Sequence, residues 1–121
     1  MKLSVILIAY DMAREIPRTL QGLARTYQRG ARDLEYEVLL VDNGSPVPLV
    51  EESWQHVDVP VRLIRMQEIS HSPAKAINVA LREALGEIVA LMIDGAHLLT
   101  PGVFQMALAS YAAFDNPVVA T

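Results

Sequence analysis

The sequence predicts an α/β fold: a mostly parallel, doubly wound sheet in three layers, α/β/α. Three observations predict it. Short β-favouring runs recur along the 121 residues, segments with helical periodicity separate them, and the runs are continuously apolar. Continuous apolar character suits strands covered on both faces, and strand–helix alternation implies parallel pairing with right-handed crossovers.

The first run, LSVILIAY over residues 3–10, is too short to span a bilayer, follows a single Lys and lacks a small-residue cleavage site, so it reads as a strand. From 14 to 29, Ile16, Leu20, Leu23, Ala24 and Tyr27 recur near the helical period and predict a first helix. YEVLLV (36–41) is the second strand. Residues 43–60 hold three prolines, allow only a short helix around 51–55, and are expected to wrap an edge. VRLIRM (61–66) is the third strand. A second helix follows from the stripe Ile77, Leu81, Ala84 and Leu85, and a third from Phe104, Ala107, Leu108 and Tyr111. Ser72-Pro73 and Thr100-Pro101 each place a capping hydroxyl before a proline at the first helical position. Gly86 stops the second helix, EIVALMI (87–93) is the fourth strand, and NPVVAT begins a fifth.

Composition bounds the function. At 52% hydrophobic and 20% charged residues, the chain is a globular domain able to bury a core. A net charge of −4 argues against a nucleic-acid binder, which carries a cationic surface to displace phosphate counterions. The absence of cysteine excludes disulfides and thiolate metal sites and accords with a cytoplasmic protein. No repeat or interdomain linker is evident.

Three apolar runs end alike: Tyr10-Asp11, Asp42-Asn43-Gly44-Ser45 and Asp94-Gly95. In a parallel sheet the carboxyl ends of all strands share one edge, where open α/β sheets bind ligands. The three acids therefore converge, and like charges at close range call for a cationic or hydrogen-bond-donating occupant. Each acid alone has a structural explanation: Asp11 as a helix cap, the others as turn residues. Only their joint placement favours a site. A dinucleotide fingerprint and a phosphate loop are absent, since AYDMARE has no glycine after the first strand. A phospho-acceptor receiver would need an Asp after strand three, where RMQEIS stands, and a Lys later than Lys75.

SVILIAYDMAREIPRTLQGL, YEVLLVDNGSP and SPAKAINVALREALGEIVALMIDGAHLLTPGVF resemble, in order and spacing, the amino-terminal, nucleotide-sugar-binding half of family 2 glycosyltransferases. The resemblance spans the whole chain. It implies the Rossmann-like A-type fold, and makes residues 1–121 the donor-binding part of a longer domain in an inverting glycosyltransferase. By position, Ala9, Tyr10 and Asp11 would border the base, Asp42 would accept a hydrogen bond from a uracil-type imide N–H, Asn43 would be a further nucleotide-binding residue, and Asn78 would lie near diphosphate or ribose. A carboxylate suits an imide donor, and a tyrosine face suits a planar base.

The departures concern metal and phosphate. The family's Asp-x-Asp element holds Mg²⁺ or Mn²⁺ against the donor diphosphate. Asp94 matches its first acid, Ala96 replaces its last, and His97 is the candidate for a substitute ligand. Ile77 stands where the family has an Arg; Lys75, His71, Ser70, Ser72 and the amides opening that helix are the remaining phosphate candidates. The resemblance places the catalytic base beyond Thr121, so turnover by this piece alone is not expected. The expected partners are a nucleoside diphosphate sugar of uridine type and an unidentified acceptor, with no nucleic acid and no membrane span. An uncovered edge strand would favour a dimer. The alternative is a non-catalytic nucleotide-binding or protein-interaction module derived from the same fold.

Overall fold

A computed structural model describes residues 1–68 and 72–120. Its strands are β1 (Leu3–Ala9), β2 (Tyr36–Asp42), β3 (Val61–Arg65) and β4 (Ile88–Met92). Its helices are α1 (Ile16–Gly22), α2 (Ala74–Glu83) and α3 (Val103–Ala113), with a 3₁₀ turn at Glu51–Ser53. The sheet order is β3-β2-β1-β4, and every pairing is parallel. The chain steps outward from β1 to β3, then returns to the far side of β1. That reversal creates a switch point between β1 and β4, and the carboxyl ends beside it are where such sheets take ligands.

Two apolar clusters explain why the central strands show no alternation. On one face Val5, Leu7, Val38 and Leu40 pack with Ile16, Leu20, Leu23 and Phe104. On the other, Ile6, Ile8, Leu39 and Val41 meet Ala76 and Ala80 of α2. Every residue of β1 and β2 is buried, so both strands are apolar on both sides. The layers are α/β/α, as expected.

The structure corrects several local expectations. The helix expected over 14–29 ends at Gly22, because side chains take the carbonyls that would continue it. Gln28 donates to the Gly22 carbonyl at 2.8 Å and Tyr36 donates to that of Leu23 at 2.7 Å. On α2 the buried side is Ala76 and Ala80, whose small side chains fit against the sheet, whereas Leu81 and Leu85 are exposed. Ser72 accepts the Ala74 N–H at 3.2 Å, but Thr100 does not cap α3. Gln28 does so from a distant turn, its Oε1 accepting the Phe104 N–H at 3.2 Å. Gly86 acts by close approach, since a Cβ there would stand 2.5 Å from the Ser4 nitrogen. Residues 117–120 form no strand. Among the described residues no helix is long and apolar enough to cross a membrane.

Candidate functional site

The β1–β2 register carries through to the strand ends, pairing Ala9 with Asp42, and the Asn43 N–H then bonds the Ala9 carbonyl at 2.8 Å. Tyr10 and Asn43 therefore leave the sheet side by side. The Tyr10 ring is about half exposed, as a stacking surface would need to be. Asp11 has φ +54°, a left-handed conformation that Asp tolerates better than most residues, and its N–H donates to Ser45 Oγ at 3.1 Å. It does not cap α1, which starts at Ile16 with Glu15 at the cap position.

Asp42 is only 4% exposed and holds its own loop together. Its Oδ1 accepts the Ser45 N–H at 3.0 Å, and its Oδ2 accepts that of Leu49 at 2.9 Å. Arg65 lies 3.5 Å from Oδ2. Gly44 takes φ +76°, which explains the glycine in Asn43-Gly44. Asn43 is equally enclosed, and its Oδ1 has no hydrogen-bond partner among the described residues.

Asp94 reaches the same edge through its neighbour. A Cβ on Gly95 would fall 2.8 Å from Ile16 Cδ1 and 3.5 Å from Ala9 Cβ, so the chain after β4 runs against the end of β1. Thr19 fixes it there, donating to the Gly95 carbonyl at 2.5 Å. Asp94 itself is exposed, and its Oδ1 accepts the Ala96 N–H at 3.0 Å in a side-chain turn. His97 is exposed as well. Among the described residues no three His, Asp or Glu side chains are grouped closely enough to hold a metal ion.

The structure thus brings Ala9, Tyr10, Asp11, Asp42, Asn43 and Asp94 to the carboxyl edge of the sheet, around the end of β1. Lys75 and Asn78 sit on exposed positions of α2, where Lys75 pairs with Glu68 at 3.7 Å. No hydrogen bond or ion pair among the described residues joins either to the β1–β2 rim. Ser70 and His71 lie outside the described residues. Sequence reasoning missed Arg65, although its place at the end of the third apolar run, level with Asp42 in the second, was a usable signal. A separate apolar groove of about 370 Å³ follows β4 and α3, lined by Ile88, Ala90, Leu99, Phe104 and Val118. None of the rim acids lines it.

The sequence profile described as glycosyl transferase family 2 matches residues 4–120. The chain belongs to that family. Its fold is also that of a solved structure of S. aureus TarS, residues 1–349, in complex with UDP-GlcNAc. The TM-score is 0.78 and the identity 25%, covering 100% of this chain and 37% of that one. A second solved structure of S. aureus TarS 1–349 gives a TM-score of 0.74 at 25% identity, covering 93% of this chain and 33% of that one. A longer TarS structure gives the same score and identity, with 20% of its chain covered. This family 2 glycosyltransferase chain therefore spans between a fifth and just over a third of the length of the structures it resembles. No curated protein matches it.

Proposed function

We propose that the chain is the donor-binding half of an inverting glycosyltransferase that uses a nucleoside diphosphate sugar of uridine type. The observation that carries this reading is the common rim: a half-exposed Tyr10, an oriented Asp42 carboxylate and Asp94 gathered around the end of β1. The TarS complex with UDP-GlcNAc supports the uridine preference. In this reading the base stacks on Tyr10 with its imide N–H toward Asp42. A carboxylate offers about four acceptor positions; two are taken by the N–H groups of Ser45 and Leu49, with the Arg65 guanidinium in ion-pair range of Oδ2, which leaves acceptor capacity for an imide N–H. Asp94 faces the ribose or diphosphate. Lys75 and Asn78 serve the diphosphate if the ligand bridges from the rim to α2.

The donor set fits Mg²⁺ or Mn²⁺ only as an ion held mainly by phosphate and water, with Asp94 and then His97 as protein ligands. Such an ion would neutralise charge on the leaving diphosphate. In the transfer itself the acceptor hydroxyl attacks the anomeric carbon opposite the diphosphate. The bond from carbon to phosphate oxygen breaks, the nucleoside diphosphate leaves with its electrons, and a carboxylate base takes the hydroxyl proton. That base belongs to the acceptor-binding part of the family's domain.

Titration calorimetry with uridine and guanosine diphosphates, each with and without Mn²⁺, tests the reading. Uridine diphosphate should bind more tightly, and Mn²⁺ should strengthen it modestly. Absence of binding at millimolar ligand, both for this chain and for a longer parent chain, would refute it.

A further inference from the structure

Arg65 closes β3 directly across from Asp42 in the parallel register. Its guanidinium reaches two atoms at once. One nitrogen lies 3.5 Å from Asp42 Oδ2, and another donates to the Leu49 carbonyl at 2.6 Å. The Leu49 N–H is meanwhile held by the same Asp42 oxygen. Residue 49 is therefore clamped through both its N–H and its carbonyl, and it anchors the far end of a loop stiffened by Pro46 and Pro48.

The connection continues inward. Asp42 Oδ1 takes the Ser45 N–H, and Ser45 Oγ takes the Asp11 N–H. An unbroken run of polar contacts thus leads from the end of β3, through the end of β2, to the residue that follows Tyr10. A plain strand-end ion pair would need no such fork. The Arg65 side chain is 49% exposed against 5% for Asp42, so solvent screening leaves the pair little stabilising power. What the arrangement does constrain is direction: two backbone N–H groups and the guanidinium beside Oδ2 fix the orientation of the Asp42 carboxylate.

We infer that Arg65 is a positioning residue for nucleobase recognition, acting by orienting the Asp42 carboxylate. The inference rests on the uridine-type donor reading above. Uracil presents an N–H at the ring position where cytosine presents an acceptor, so a correctly aimed carboxylate favours uridine and disfavours cytidine.

The test is a double-mutant cycle read on nucleotide affinity, with uridine and cytidine diphosphates as probes. Arg65→Gln should weaken uridine diphosphate by about fivefold and narrow the uridine-to-cytidine ratio. Asp42→Asn should do the same, and the double variant should be no weaker than Asp42→Asn alone, because Arg65 acts through that carboxylate. Arg65→Lys keeps the charge but loses the fork, and should restore only part of the ratio. Multiplying losses in the double variant would overturn the inference. So would an Arg65→Gln protein whose Tm falls while its ratio is unchanged, since that is the mark of a purely structural pair. Wild-type binding of uridine diphosphate with an unaltered variant ratio sinks this inference alone; a wild-type chain that binds neither nucleotide sinks the donor reading with it.

Discussion

β2 and β4 flank the same central strand, and each continues into an aspartate, yet they are physically different objects. β2 pairs on both sides and has all seven residues buried. Among the described residues β4 pairs only with β1, and alternate residues along and just beyond it are open, with Val89 42%, Leu91 46% and Ile93 57% exposed. Val89 and Leu91 lie level with Ser4 and Ile6, on the face that α2 covers over β1 and β2. The acids share the character of their strands: Asp42 is enclosed, holds two backbone N–H groups and pairs with Arg65, whereas Asp94 is exposed and braced by one backbone N–H. An apolar run ending in Asp therefore has no fixed meaning. Its neighbours decide whether the acid is an anchor or a free ligand.

Truncation in the two strands should show the largest contrast. Leu40→Ala removes a fully buried side chain and should cost about 3 kcal/mol, whereas Leu91→Ala should cost about 1 kcal/mol or less. Urea unfolding measures both, and equal losses would break the distinction. The acids come next. Asp42→Ala strands the N–H groups of Ser45 and Leu49 and should cost about 2 kcal/mol, while Asp94→Ala should stay within about 0.5 kcal/mol. Nucleotide affinity should fall in both, so the pair separates folding from binding.

The start of β2 supplies a test against pH. Burial raises the Tyr36 phenol from 10.0 to about 12, with Arg25 opposing and Asp58 assisting. The folded chain keeps its proton where the unfolded chain has lost it. The contribution of Tyr36 is therefore complete below pH 10 and declines as pH rises from 10.0 towards about 12. Unfolding midpoints across that window should drift downward, and Tyr36→Phe should flatten the drift. The smallest effect belongs to the bare edge: Leu91→Ser should alter stability by about 0.5 kcal/mol or less, yet reduce any concentration-dependent association seen by sedimentation. An unchanged association would show that copies do not meet along β4.

Much of the fold was legible because strand and helix periodicities are local. The four runs at 3–10, 36–41, 61–66 and 87–93 match the four observed strands to within one residue at each end. The shared edge was legible in outline for the same reason, since Tyr10, Asp42 and Asp94 stand at or just beyond the ends of strands whose parallel order sets a common side. What escaped was set by contacts distant in sequence. The apolar spacing that suggests a helix to residue 29 says nothing of Gln28 and Tyr36 taking its carbonyls. The stripe at Leu81 and Leu85 matters less than the closeness that Ala76 and Ala80 allow.

The order of residues along the chain was enough to specify a parallel α/β layer, its strand positions and the acids at their ends, because side-chain periodicity and turn chemistry act over a few residues. Only the folded chain could assign those acids their environments. Gln28 caps a helix 76 residues away, Arg65 on the neighbouring strand pairs with Asp42, and Gly95 presses against β1, since packing and electrostatic contact depend on distance in space.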